Sequence, residues 1–259
     1  MSRAEWIATF GIGALMVGAL KPTNTWDLYT YFPLAALALA LPMIATADEG
    51  NVRKGIEAFF GKDVKVDAVR KAGFLNLYEV QVGGEMIYTD EKVTHVLIGN
   101  VHDVKANKDL TGTRKFSLLP LELTIKQVRG DGKRTLVTFE DPNCGYCKKL
   151  AQEIQKLNNV TVHTFLYPVL GEDSHEKSKA IWCSADRAKA WNEWMLNGKE
   201  AGKASAKCDI TGLEKSIETG RKLGIRGTPA LFFSDGGRVP GYMPGPQLDQ
   251  AISRASSGN

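Results

Sequence analysis

Two cysteines separated by two residues, in Cys144-Gly145-Tyr146-Cys147, are the side chains of this 259-residue chain best suited to chemistry, and a Gly227-Thr228-Pro229 segment follows downstream. Thiols at this spacing fit the first turn of a helix, where the outer sulfur meets solvent and the positive end of the helix dipole. Such a setting lowers a thiol pKa from about 8.5 to roughly 3.5–7.5, which makes the outer sulfur a thiolate near neutral pH. Cys144 is then expected to attack and Cys147 to resolve. Structural zinc would want a second ligand pair at similar spacing. Cys183 and Cys208 belong to no CxxC, and His95, His102, His163 and His175 form no HxxxH pattern. No metal and no organic cofactor are expected; the competing reading is a structural, unreactive pair of thiols.

The elements that must position these thiols are legible around them. Thr135–Glu140 reads as a buried strand, the chain enters a helix at the CGYC motif and stays helical to about Leu157, and Val160–Tyr167 reads as a second strand ending at Pro168. Strand, helix and strand make a βαβ unit with its reactive residues at the crevice edge, where open α/β sheets place their chemistry. Helices are expected over Glu172–Leu196 and Ile210–Leu223. A hairpin of Ala230–Ser234 with Arg238–Tyr242 turns at Asp235-Gly236-Gly237, and Gln247–Ala255 closes the chain as a helix.

Upstream, Val52–Phe60 has helical spacing and stops at Gly61. Val64–Val69, Leu75–Val82, Glu85–Thr89 and Thr94–Ile98 are short strand-like runs, with a tight turn expected at Gly83-Gly84. A unit of about 60 residues buries little surface alone, so it is expected to complete its core by pairing with a second copy. Between the two regions, Lys105–Lys115 is polar, and Leu118–Val128 has helical apolar spacing with Pro120 tolerated only in a first turn. The sequence thus divides into a leader over 1–47, a small amino-terminal domain over 48–108, a linker helix over 109–132 and a redox domain over 133–259.

Composition excludes several classes. With 43% apolar and 24% charged residues the chain is an ordinary globular one. Its 33 basic against 29 acidic residues give a net charge of +4, too small and scattered for a nucleic-acid footprint. The first 47 residues hold two apolar runs, Trp6–Leu20 and Tyr31–Ala47, neither reaching the roughly 20 residues that span a bilayer. Ala45-Thr46-Ala47 ahead of Asp48-Glu49 is a small-x-small cleavage pattern. Export is therefore expected, with initiation at Met16 giving a leader of simpler design; an uncleaved membrane anchor is the competing expectation. Four cysteines after the leader suit an oxidising compartment, where an even set can form two disulfides.

A βαβ unit with CxxC at the helix start, then Thr-Pro before a strand hairpin and a last helix, resembles the thioredoxin superfamily. Four ordered motifs bring the likeness closer. Phe139–Leu150 (FEDPNCGYCKKL), Lys179–Cys183 (KAIWC), Gly224–Ala230 (GIRGTPA) and Val239–Tyr242 (VPGY) together resemble the DsbC/DsbG family of periplasmic disulfide isomerases, over about Asp48 to the carboxyl terminus. The resemblance implies an α/β thioredoxin-like domain with a helical insertion (α+β overall), preceded by a small α+β dimerisation domain and a helical linker. It implies a homodimer with an apolar cleft, in which Thr111-Gly112-Thr113 and Pro120 interrupt a more continuous linker helix.

The same resemblance assigns roles. Cys144 forms a mixed disulfide with misoxidised exported proteins, Cys147 provides the escape, and a membrane thiol-disulfide reductase keeps the pair reduced. Thr228 and Pro229 match a cis-proline position opposite Cys144, and Cys183 and Cys208 match a second, structural disulfide. Gly145 and Tyr146 tune thiol poise through the open N–H groups of the helix start. Asp141 either assists proton transfer to Cys147 or is simply a solvated or capping carboxylate. Trp182, Trp191 and Trp194 are expected in the core of the helical insert. The activity implied is thiol-disulfide isomerase in the periplasm, with a DsbA-like dithiol oxidase and a peptide-binding chaperone with incidental thiols as the rival readings.

Overall fold

The computed structural model describes residues 48–257 apart from residue 62. The leader expected over residues 1–47, and with it the cleavage site and the alternative start at Met16, lies outside the described residues. Among the described residues no helix is long and apolar enough to cross a membrane. The described residues form two compact units, one of those in 48–82 with 87–97 and one of 83–86 with 98–257.

In the first unit, helix α1 covers residues 48–60. It is followed by β1 (Val66–Lys71), β2 (Tyr78–Val82), β3 (Glu85–Thr89) and β4 (Val96–Ile98), which lie in that order in one sheet. Val52 and Ile56, one turn apart on α1, bury the same helix face against Val66, Tyr78, Val80 and Ile87. Gly83 and Gly84, both at positive φ (58° and 87°), make the turn from β2 to β3 that side chains would resist. Phe59, Phe60, Leu97 and Ile98 remain exposed.

The second unit opens with a two-stranded ribbon, β5 (His102–Asp103) and β6 (Lys108–Asp109), and helix α2 (Leu110–Ser117). Its central sheet runs in the order β11-β10-β8-β9-β7. These strands are β7 (Ile125–Arg129), β8 (Arg134–Glu140), β9 (Val160–Leu166), β10 (Ala230–Phe233) and β11 (Arg238–Val239). β8 pairs parallel with β9, as a crossover through helix α3 (Gly145–Ile154) requires. β7 and β10 join antiparallel on either side of this pair. β8 is nearly all buried because it is central and covered on both faces. One face packs Leu136, Val160, Val162, Leu231 and Phe233 with Leu150 and Ile154 of α3 and Leu248 and Ile252 of α7 (Gly245–Ser257). The other main cluster gathers Val137, Phe139 and Phe165 with Ile181 and Trp182 of α4 (Glu172–Trp182), Trp191 of α5 (Arg187–Asn197) and Leu213 of α6 (Thr211–Lys222). The Phe139 and Phe165 rings stack at 4.4 Å.

Three elements differ from the sequence reading. The helix expected over Leu118–Val128 does not form: a 3₁₀ turn at Leu121–Leu123 leads directly into β7, whose register against β9 matches Ile125 to Thr164 and Arg129 to Val160. Edge pairing along five residues outweighs a weak helical spacing. The linker helix expected over 109–132 is accordingly confined to α2, and Thr111-Gly112-Thr113 lie inside it instead of interrupting it. Asp109 caps its start by accepting from the Gly112 N–H at 2.8 Å. Gly112 is required there, since a Cβ would come within 2.6 Å of the Gly236 carbonyl oxygen in the β10–β11 turn. The helix expected over Glu172–Leu196 is two helices, broken where Asp186 caps α5 through the Lys189 N–H.

Cys183, at the end of α4, is bonded to Cys208 across a separation of 25 residues. Closing a loop of that length stabilises by roughly 3 to 4 kcal/mol in the chain-entropy account. Replacing both cysteines by alanine is expected to lower the denaturant midpoint by that amount of unfolding free energy with little change in the slope. A loss below about 1 kcal/mol would show that the bond does not restrain the unfolded chain.

Candidate active site

Cys144 is the N-cap of α3, and the sequence places it there because the helix begins at Gly145, after the Pro142-Asn143 pair that ends the strand exit. The Cys147 N–H points at the Cys144 Sγ from 3.4 Å. As a thiol, Cys144 donates to the Thr228 carbonyl oxygen at 3.3 Å, and the Thr228–Pro229 peptide is cis. The Cys144 pKa falls to about 5, chiefly because the Cys147 thiol donates to its sulfur, with further help from Thr228 and the N–H groups of Cys147 and Tyr146, all acting against burial. Burial and the neighbouring Cys144 push the Cys147 thiol strongly up. The two sulfurs are thus set apart by position: one is stabilised as an anion at the helix start, the other enclosed one turn deeper.

Access is narrower than the sequence implies. Cys144 keeps only 7% of its surface and Cys147 none, so the outer sulfur is reached through a slot. Tyr146, 59% exposed, stands at the mouth with its ring 6.1 Å from that of Tyr242. Val169 and Leu170, in the loop between β9 and α4, are also exposed apolar side chains. Gly145 meets open space where a Cβ would stand, so no neighbouring atom demands a glycine there.

Asp141 does more than the capping expected of it, since its carboxylate also holds the loop after β9. It is fully buried, and its carboxylate accepts from the N–H groups of Asn143 (2.8 Å), Val169 (2.7 Å) and Leu170 (2.9 Å) and from the Ser174 hydroxyl (2.8 Å). Four donors fill an acceptor with four lone-pair positions. It anchors the 169–174 loop to the approach to α3, with capping of Asn143 only one part of the work.

Residues to which the sequence assigned no part at the site complete it. Trp194 of α5 donates its indole N–H to the Pro142 carbonyl at 2.6 Å, and the Asn143 amide donates to Asp173 at 2.6 Å and Ser174 at 3.1 Å. The helical insert therefore grips all three residues that precede Cys144. Lys148 holds its ammonium 4.4 Å above the Trp194 ring, and Lys149 stands 5.1 Å above Tyr146. Trp182 and Trp191 are buried in the insert, as expected of them. Glu140, the last residue of β8, is a charged side chain at a fully buried position. A glutamate at the end of a buried strand rich in apolar residues was the available signal. Among the described residues no cluster of three or more His, Cys, Asp or Glu is arranged to hold a metal ion.

A thioredoxin-like sheet with a thiol pair at the start of the helix after its central strand defines a thiol-disulfide oxidoreductase. The chain matches the disulfide bond isomerase protein N-terminal domain over residues 43–112 and the thioredoxin-like domain over residues 121–256. A probable thiol:disulfide interchange protein DsbC of Bordetella parapertussis is 46% identical over 203 residues, covering 76% of this chain and 71% of its own. The thiol:disulfide interchange protein DsbC of Escherichia coli K12 is 29% identical over 229 residues, covering 85% and 94%. The crystal structure of a disulfide interchange protein from Neisseria gonorrhoeae superposes with a TM-score of 0.50 at 38% identity, over 53% of this chain and 99% of that one. The chain belongs to the DsbC family of thiol:disulfide interchange proteins.

Proposed function

We propose that this chain is a periplasmic thiol-disulfide isomerase and reductase that rearranges incorrect disulfides in exported proteins. The observation that carries the reading is the contrast between the two thiols: Cys144 is lowered to about 5 at the helix start, and Cys147 is enclosed and held as a thiol. The Cys144 thiolate attacks one sulfur of a substrate disulfide, the new S–S bond forms between Cys144 and substrate, and the displaced substrate sulfur leaves as a thiolate. When that thiolate or another substrate thiol attacks the mixed disulfide, the substrate departs rearranged and Cys144 is again reduced. When Cys147 attacks instead, the substrate departs reduced and the enzyme leaves as a disulfide. A membrane thiol-disulfide reductase would then restore the pair.

Thr228 and Pro229 offer backbone to an extended substrate beside Cys144, and Tyr146 with Gly145 shapes the slot. Cys183–Cys208 is the structural bond. Residues 48–108 serve as the dimerisation domain of a homodimer and 133–259 as the redox domain, which β7 (Ile125–Arg129) joins as an edge strand so that the linker is confined to residues ahead of it, with residues 1–47 directing export. Exposed Tyr146, Val169 and Leu170 near the thiol favour a second, chaperone-like activity toward unfolded chains, since apolar side chains at a slot recruit apolar polypeptide. Incubation of the reduced protein with a scrambled, fully oxidised substrate tests the main reading: recovery of native disulfides is expected. Oxidation of reduced substrate without such recovery would establish the DsbA-like oxidase in its place.

A further inference from the structure

The two residues that precede Cys144 lie outside α3, and the helical insert holds both. The Cys144 N–H donates to the Asp141 carbonyl at 3.1 Å, which makes residues 141–144 a turn. The hydrogen bonds of α3 begin only beyond it, with the Lys148 N–H on the Cys144 carbonyl at 3.1 Å. Pro142 is buried, and its carbonyl accepts from the Trp194 indole N–H at 2.6 Å. Asn143 donates its side-chain amide to Asp173 at 2.6 Å. The same Asp173 oxygen accepts from the Lys177 ammonium at 2.5 Å, and that ammonium lies 4.9 Å from the centre of the Trp194 ring. Lys148, the residue after Cys147, approaches the same ring to 4.4 Å. Trp194 thus engages the chain on both sides of the redox motif, through its N–H at Pro142 and its π system at Lys148. Lys177, with 18% of its side chain exposed, ties the Trp194 contact to the Asp173 contact.

Resting on the reading of Cys144 as the attacking thiolate, we propose that Trp194 and Asp173 are positioning residues: a clasp from the helical insert that holds Pro142 and Asn143, and so keeps the Cys144 sulfur aimed at the first turn of α3. The connectivity creates the need for such a clasp. The N–H groups that face the sulfur belong to the helix, whereas the sulfur is carried on a turn that the helix does not fix. The Cys147 N–H meets Sγ at 3.4 Å and the Thr228 carbonyl meets it at 3.3 Å. A misplacement of about 1 Å at a reacting group is costly even when its cause is remote. A sulfur that drifts from the helix start loses donors to its anion and holds its proton more tightly. The titratable groups facing Cys144 are Cys147 on α3 and Glu140 at the end of β8. Asp141 turns its carboxylate to the loop before α4, Lys148 turns its ammonium to Trp194, and β10 is preceded by the Thr228 carbonyl. The substitutions below leave all of these in place.

Alkylation of the full-length reduced protein by iodoacetamide, followed by mass across pH, reads the clasp through Cys144. Trp194→Phe keeps an aromatic face for the two ammonium groups and deletes the N–H that reaches Pro142. It is expected to lower the thiolate-to-thiol ratio of Cys144 at pH 5, about 1 in the wild type, by at least threefold, or about half a pKa unit. A purely structural tryptophan would lower the unfolding midpoint and leave that ratio alone, so a ratio within threefold of the wild type overturns the proposal. If Trp194→Phe does not fold, Asp173→Ala decides, and there the sign carries the argument. Loss of an anion by itself favours the thiolate, whereas a loosened clasp disfavours it. In 0.5 M salt, which screens the charge effect, the ratio is expected to fall at least twofold, and Asp173→Asn, whose amide oxygen still accepts from Asn143, should restore part of the loss. A smaller fall, a rise, or no recovery in Asp173→Asn overturns the proposal equally. A wild-type inflection near 5 that the variants leave unmoved removes the clasp alone, whereas a wild-type inflection near 8.5 removes the thiolate reading as well.

Discussion

Cys144→Ser is expected to lower disulfide exchange by at least a thousandfold while leaving the fold intact. A hydroxyl in place of the thiol stays protonated at any working pH, and loss of the sole nucleophile of a covalent route typically costs 10³ or more. Serine fits the site, because an N-cap oxygen accepts from the helix N–H groups as well as a sulfur does. Circular dichroism and thermal unfolding should therefore match the wild type while recovery of scrambled substrate disappears. The matched variant Cys147→Ser should behave oppositely, accumulating mixed disulfides. Exchange within tenfold of wild type in Cys144→Ser would transfer the chemistry to another sulfur.

The second large effect concerns the pH at which Cys144 ionises. Alkylation by iodoacetamide should follow an inflection near pH 5, against about 8.5 for a free thiol. At pH 6 some nine-tenths of Cys144 is thiolate, whereas a free cysteine is thiolate to about three parts in a thousand. A weaker base is also a weaker nucleophile, by about 0.4–0.5 of the pKa difference, so the net advantage at pH 6 is roughly tenfold. Above about pH 7, where a few per cent of free cysteine is already thiolate, the order reverses and Cys144 should react more slowly than free cysteine. The sign for stability follows from the same shift. Because the folded thiol gives up its proton at about pH 5 and the unfolded one only near 9.0, Cys144 contributes stability to the reduced fold that grows as pH rises through that window, opposed below about pH 8 by buried Glu140, whose raised pKa has the opposite sign. An alkylation inflection near 8.5 would remove the electrostatic basis of the proposed chemistry.

Much of the fold was readable because the signals were local. Glu85–Thr89 was read as a strand with both ends correct. The strand before the CGYC motif and the helix it opens were placed to within a residue at their starts, since a buried run, a proline-containing exit and a thiol cap lie side by side in sequence. The misread segments are those where local pattern and pairing disagree. Leu118, Leu121, Ile125 and Val128 recur at helical spacing, yet Ile125 is buried and Val128 exposed on an edge strand held by β9. Asp186 offered a cap signal inside the expected 25-residue helix, but the apolar spacing on both sides concealed it.

The spacing of Cys144 and Cys147 by itself determined that one sulfur caps a helix and the other lies a turn behind it, because α-helical geometry alone fixes residues three apart. Only the tertiary structure decided what surrounds them. The Thr228 carbonyl reaches Cys144 through pairing of β10 with β8, and Trp194 and Asp173 hold the approach from the helical insert. Those neighbours come from segments up to 84 residues away. Their effect is electrostatic and depends on excluding water, which no run of consecutive residues can do alone.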